Sequence, residues 1–319
     1  MLHVVNMALI FFGTPQYAVP SLNALVDAKE DIALVVTQPD KVKGRGHILS
    51  APPVKELALS FGLKVLQPDK IRNEGFYREL EDIAPEFIIV VAYGKILPEE
   101  ILNMPKFGCI NVHASLLPKY RGAAPIQWTL LKGEKITGVT TMLMDKGIDT
   151  GDILLKAQLE IRDDDTSETL SRKLSELGAA ALIKTIRGMR EGKIRPEPQT
   201  GEASYAPPLK KDDGRIDWKM SAEDLFNFVR GMYPWPSAFC YLNNERIKII
   251  KVRKLKQEDR GQKEAICGSI VKASDGELIV ETGKGFLAIE ELQPEGKKIM
   301  SAKALLAGRK LKVGYDKFY

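Results

Sequence analysis

Cysteine and histidine are scarce, with three of each in 319 residues. Cys109, Cys240 and Cys267 are far apart, odd in number and in no CxxC pair, so neither a disulfide framework nor a zinc knuckle is encoded, and a reducing cytoplasm is the expected setting. Long hydrophobic runs are missing too. The opening stretch MLHVVNMALIFFGTP has no Lys or Arg before its apolar run, and Gly13-Thr14-Pro15 interrupts it well short of the roughly 20 residues a membrane span needs. No membrane association is expected. The stretch reads as a first strand beginning near Ala8, which leaves Met1 and Met7 both as candidate starts. Internal repeats and low-complexity tracts are absent, as are Walker-type phosphate loops. The turn after the first strand, GTPQYAVP, has one Gly where a dinucleotide fingerprint needs GxGxxG, which disfavours a dinucleotide. No metal site is encoded.

What is present is ordinary globular material: 44% hydrophobic and 28% charged residues, in a chain long enough for two domains. The net charge of +5 is unevenly spread. Residues 1–206 hold 25 Lys and Arg against 26 Asp and Glu, whereas residues 207–319 hold 22 against 16, so the whole positive excess lies in the last third. It is densest in RIKIIKVRKLK, 246–256, where basic and β-branched residues alternate as on a strand with one wet face. Taken alone, Lys251 and Arg253 fit a solvated strand face and a nucleic-acid surface equally well.

The first part alternates β-branched runs with amphipathic stretches, the pattern of an α/β fold with a Rossmann-like, mostly parallel sheet. Strands are expected at 9–12, 32–37, 64–67, 87–92, 109–113 and 139–144, and helices at 17–28, 54–61, 71–83, 124–132 and 166–190. Residues 191–208 carry four prolines and no hydrophobic period, so they read as an extended, semi-stiff linker. Beyond it, one helix at 222–230 and short strands at 247–255, 268–273, 278–282 and 286–292 suggest a smaller OB-like β-barrel. The expected organisation is thus a domain over 1–190, a linker over 191–208 and a second domain over 209–319.

The chemistry concentrates in FGCINVHASLLPKYRG, 107–122, and in MDKGIDTGD, 144–152. Asn111 and His113 lie two apart on a strand and so share a face near its C-terminal end, where open α/β sheets place ligands. Asp149 is the third polar group available to that cluster. Cys109 is expected on the opposite face as a buried thiol, Asp145 and Asp152 as turn caps, and Tyr120-Arg121-Gly122 as a turn in which Arg121 secures the loop or meets an anion. His3 and His47 have no catalytic context.

The run NVHASLLPKYRG with the later DKGIDTGD resembles the folate-dependent formyltransferase family. IFFGTPQYAVPSL, TQPDKVKGRG, GAAPIQW and FVRGMYPWPSAF extend the likeness along the chain to the members that act on initiator methionyl-tRNA. The resemblance implies Asn111, His113 and Asp149 as the catalytic trio and Ser115, Leu116, Leu117 and Pro118 as the folate-contacting loop. It implies 10-formyltetrahydrofolate as formyl donor, with no metal. It also implies that the loop bearing Lys41, Lys43 and Arg45 meets the acceptor end of the tRNA, with Arg45 foremost, and that the basic C-terminal domain, with Lys251 and Arg253, holds the tRNA. A monomer is expected. In this chemistry an amine attacks the formyl carbon and negative charge develops on its oxygen. An amide and a protonated imidazole would stabilise that oxygen, while the carboxylate orients the ring and helps move the proton. Two other readings stay open: a formyltransferase of a small amine such as an amino-sugar nucleotide or glycinamide ribonucleotide, and a non-catalytic nucleic-acid-binding protein.

Overall fold

The computed structural model describes residues 7–43, 48–255 and 266–319. Its contacts form two compact units, one of residues 1–125, 136–160 and 171–206, the other of residues 126–135, 161–170 and 207–319.

The first unit runs β1 (Leu9–Gly13), α1 (Val19–Asp27), β2 (Ile32–Val36), β3 (Lys41–Lys43), β4 (Ile48–Ser50), α2 (Pro53–Ser60), β5 (Val65–Leu66), α3 (Glu74–Ile83), β6 (Phe87–Val91), α4 (Glu99–Leu102) and β7 (Cys109–His113). After α5 (Pro125–Leu131), most of which belongs to the other unit, come β8 (Ile136–Leu143), β9 (Ile153–Glu160) and the 24-residue α6 (Ser167–Arg190). Seven strands form one sheet in the order β5-β2-β1-β6-β7-β8-β9. Pairing is parallel from β5 to β7 and antiparallel from β7 through β8 to β9. The central strands LIFFG and FIIVV are buried at every residue, as expected of strands covered on both faces. By contrast, β9 alternates after the buried Leu154 between half-buried and exposed positions, as an edge strand with one wet face does. Helix α6 comes close to the sheet at Gly178, where a Cβ would stand 2.8 Å from Val112 Cγ1. The expected strand at 139–144 is real but starts three residues earlier, while β9 and the β3-β4 hairpin were not anticipated.

The second unit continues with α7 (Ala222–Met232), β10 (Phe239–Leu242), β11 (Glu245–Lys254), β12 (Ile270–Ser274), β13 (Glu277–Glu281), β14 (Phe286–Pro294), β15 (Met300–Ser301) and α8 (Ala302–Gly308). Ser221 caps α7, its hydroxyl accepting from Asp224 N. The antiparallel sheet runs β10-β11-β14-β13-β12, with β15 beside β14, and β11 bends at two irregularities of register near Lys251. The last residues join the two ends of this curled sheet. Tyr319 exchanges main-chain hydrogen bonds with Tyr241 of β10, and Phe318 N–H donates to Gly268 O just before β12. This is an OB-like half-barrel closed by its own tail.

Candidate active site

Strand β7 ends on Asn111 and His113. The hairpin loop between β8 and β9 brings Asp149 to them from 38 residues away. The loop is drawn tight by its glycines: a Cβ on Gly151 would lie 1.8 Å from Leu143 O, so no other residue fits there. Asp145 pins it further, accepting from Thr150 Oγ1 (2.7 Å) and from Gly147 N (3.0 Å), which is the turn-capping role expected of it. At the tip Asp149 adopts φ +53°, a left-handed conformation that Asp tolerates better than most residues.

The Asp149 carboxylate is the hub of the site. Asn111 Nδ2 donates to Oδ1 (3.2 Å), Gly122 N–H donates to Oδ2 (2.8 Å), and His113 Nδ1 stands 3.5 Å from Oδ2. His113 Nε2 lies 3.0 Å from Tyr120 O, so each ring nitrogen faces an oxygen. The imidazole is 6% exposed and the carboxylate 15%. This group can therefore carry a proton or a charge with little water around it. Asn111 keeps one amide hydrogen beyond the bond to Asp149.

Ser115, Leu116, Leu117 and Pro118 follow directly on β7 and fold back over β8. Ser115 Oγ donates to Lys119 O (2.6 Å), and Thr140 Oγ1 accepts from Leu117 N (3.1 Å) while donating to Ser115 O (2.7 Å). Ser115 and Leu117 are buried, whereas Leu116 and Pro118 keep partly open apolar surface.

Cys109 corrects one expectation. Strand alternation places residue 109 on the same face as Asn111 and His113, not the opposite one. The thiol is nonetheless inert, because it is buried in a core cluster with Ile10, Phe12 and Ile101, and burial pushes it up to about 12.

Three contributors to the site carry no side-chain signature in the sequence: Gly122 N–H, Tyr120 O and the residues after α6. Gly122 has φ +116°, and a Cβ there would lie 2.8 Å from Ala206 O. Segment 197–206 is no free connector. Glu197 pairs with Ile153, Ser204 Oγ accepts from Tyr120 N (2.9 Å), and Ala206 exchanges main-chain bonds with Arg121 and Ala124. Arg121 itself donates to Gln199 Oε1 through Nε and Nη2.

Lys41 and Lys43 lie in β3, where Lys41 Nζ donates to Gln38 Oε1, and Arg45 lies outside the described residues. The base of that hairpin is tied by Lys55, which bonds both carboxylate oxygens of Asp40 and also Gln67 Oε1. In the second unit, Lys251 pairs with Glu290 (3.3 Å) and Arg253 with Glu277 (3.6 Å) and Glu290 (3.5 Å), so carboxylates already offset that end of the basic strand. Among the described residues no helix is long and apolar enough to cross a membrane, and no group of three or more His, Cys, Asp or Glu is placed to hold a metal.

Two family models match the chain. The formyl transferase model matches residues 5–186, and the model of the formyl transferase C-terminal domain matches residues 208–310. The chain belongs to the formyl transferase family. Among relatives of this formyl transferase, the methionyl-tRNA formyltransferase of Thermodesulfovibrio yellowstonii is 58% identical over 313 residues, covering 98% of this chain and 99% of that one. The methionyl-tRNA formyltransferase of Caldanaerobacter subterraneus is 50% identical, covering 97% and 99%. Among solved structures, the N-formyltransferase from Helicobacter canadensis, in complex with folinic acid and dTDP-3-aminofucose, shares the fold. It has a TM-score of 0.64 and 20% identity, over 89% of this chain and 98% of that one.

Proposed function

We infer that this chain transfers the formyl group of 10-formyltetrahydrofolate to the free amino group of initiator methionyl-tRNA in the cytoplasm. The observation that carries this reading is 58% identity to a methionyl-tRNA formyltransferase across 98% of the chain.

Asn111, His113 and Asp149 act together in the transfer. The α-amine attacks the formyl carbon, a new C–N bond forms, and the bond from that carbon to the folate nitrogen breaks. Asn111 donates its remaining amide hydrogen to the oxygen that becomes negative, a preorganised contact typically contributing about 3 kcal/mol. His113, with a proton on each nitrogen, donates toward Tyr120 O and Asp149 and places positive charge beside that oxygen. With Nε2 turned to Tyr120 O, the ring contributes charge rather than a second hydrogen bond to that oxygen. Asp149 takes the proton shed by the attacking nitrogen and returns it to the departing nitrogen, leaving the proton count unchanged. Ser115 to Pro118 hold the folate, offering partly open Leu116 and Pro118 to an apolar ring. Lys41, Lys43, Arg45, Lys251 and Arg253 meet tRNA phosphates.

The test is direct. Purified protein with 10-formyltetrahydrofolate is given methionyl-tRNA, an amino-sugar nucleotide or glycinamide ribonucleotide. Formyl-methionyl-tRNA as the product supports the reading. Formylation of a small amine instead, or of nothing, overturns it.

A further inference from the structure

We propose that Gln199, from the segment after α6, is a positioning residue that fixes the Asp149 carboxylate for proton transfer. The proposal rests on the role given to Asp149 above.

The Gln199 amide uses its bonding capacity on the site. Nε2 donates to Asp149 O (2.8 Å) and to Gly151 O (2.8 Å), while Oε1 accepts from Arg121 Nε (3.1 Å) and Nη2 (2.7 Å). The chemistry fixes which way the amide points. A reversed amide would aim N–H at guanidinium N–H and oxygen at two carbonyl oxygens, losing every bond. One half-buried side chain thus joins the loop that carries Asp149 to the loop that carries Tyr120 and Gly122.

Each of those loops supplies part of the Asp149–His113 geometry. Gly122 N–H holds the carboxylate, Tyr120 O holds the imidazole, and Asp149 sits at φ +53°, a conformation the surroundings must maintain. The bonds to Asp149 O and Gly151 O hold the main chain immediately around that residue. Without them the peptide can relax toward extended values and swing the carboxylate away from His113. Ser204 and Ala206 brace the second loop from the same segment, whereas the Gln199 side chain bonds to both loops.

The experiment compares Gln199→Met and Gln199→Glu with the intact chain. Methionine keeps the length and loses all four bonds. Glutamate keeps the acceptor for Arg121, loses both donors and sets a carboxylate against two carbonyls. Two readouts are taken: steady-state kinetics with 10-formyltetrahydrofolate and methionyl-tRNA, and the ring nitrogen resonances of 15N-labelled histidine without substrates. With three histidines in the chain, His113→Asn assigns the signals.

Both variants are expected to lower kcat by about tenfold to a hundredfold, with KM little changed for either substrate. Both should shift the His113 Nδ1 resonance as Asp149 moves off it. Wild-type kcat in Gln199→Glu overturns the proposal. So does lowered kcat with unmoved His113 resonances, because the defect then does not run through Asp149. If the intact chain does not formylate methionyl-tRNA, the functional reading fails separately, and moved or unmoved resonances still decide the geometric claim. Should Gln199→Met not fold, Gln199→Glu, equal in size to the native residue, carries the comparison.

Discussion

Asp149 accepts from an amide side chain and a main-chain N–H while standing beside an imidazole, so removing any partner changes what the others can do. In the proposed transfer, Asn111→Ala removes a donor to the developing oxyanion, His113→Ala removes the imidazole beside it, and Asp149→Asn removes the proton acceptor while keeping nearly the same shape. Each is expected to lower turnover by about 10²–10⁴-fold. Equilibrium tRNA binding should be nearly unchanged, as the proposal assigns these groups to the transition state. Single-turnover formylation and a filter-binding titration check the two halves, and a variant with normal turnover removes that residue from the scheme.

At the scale of elements, α6 is tied to the sheet by a charge cluster. Arg190 bonds Glu30 through Nη1 and Nη2 and Glu86 through Nε and Nη2, at 2.7 to 3.0 Å, and the two carboxylates are 8% and 4% exposed. Burial works against the guanidinium charge, but the bonds to Glu30 and Glu86 outweigh it and hold Arg190 above its usual range. Arg190→Met leaves two buried carboxylates facing each other, and the expected loss is about 3–5 kcal/mol, read from chemical denaturation. No spacing rule reveals this cluster, because its members are 160 and 104 residues apart. The strands that read most plainly from sequence are those with a continuous apolar run, such as LIFFG and FIIVV, and β11, where basic and β-branched residues alternate. In ILLKAQLE the alternation rests on Leu155, Ala157 and Leu159 without a β-branched residue among them, and the three-residue strands of the β3-β4 hairpin are too short to show a period. The site divides in the same way. Asn111 and His113 stood out by their spacing, and Asp149 by the resemblance of its loop. Gly122 N–H and Tyr120 O are main-chain groups that any residue carries, and Gln199 sits in a proline-rich stretch that reads as a connector.

For the whole molecule, the charge asymmetry is the long-range feature. Residues 207–319 hold an excess of six positive charges, and a polyanion is drawn to that part with a strength that falls as salt rises. Lys251→Gln with Arg253→Gln should weaken tRNA binding and reduce the slope of log K against log salt by about one per cation that meets a phosphate. An unchanged slope shows that these two stay with Glu277 and Glu290 in the complex. Phe318 and Tyr319 add to what holds the second unit together. Phe318 is fully buried and stacks on Trp218 at 5.7 Å, so Phe318→Ala should cost about 3–5 kcal/mol, seen as an earlier thermal transition.

That tail has a consequence for how the protein is made. The strip that seals the half-barrel, Phe318 and Tyr319, is synthesised well after the residues it pairs with, Tyr241 and Gly268. During synthesis, N-terminal units generally settle first. The nascent chain should therefore assemble its first unit before the second is sealed, and a chain cut short before Phe318 would keep two unpaired edges, open to association with others of its kind.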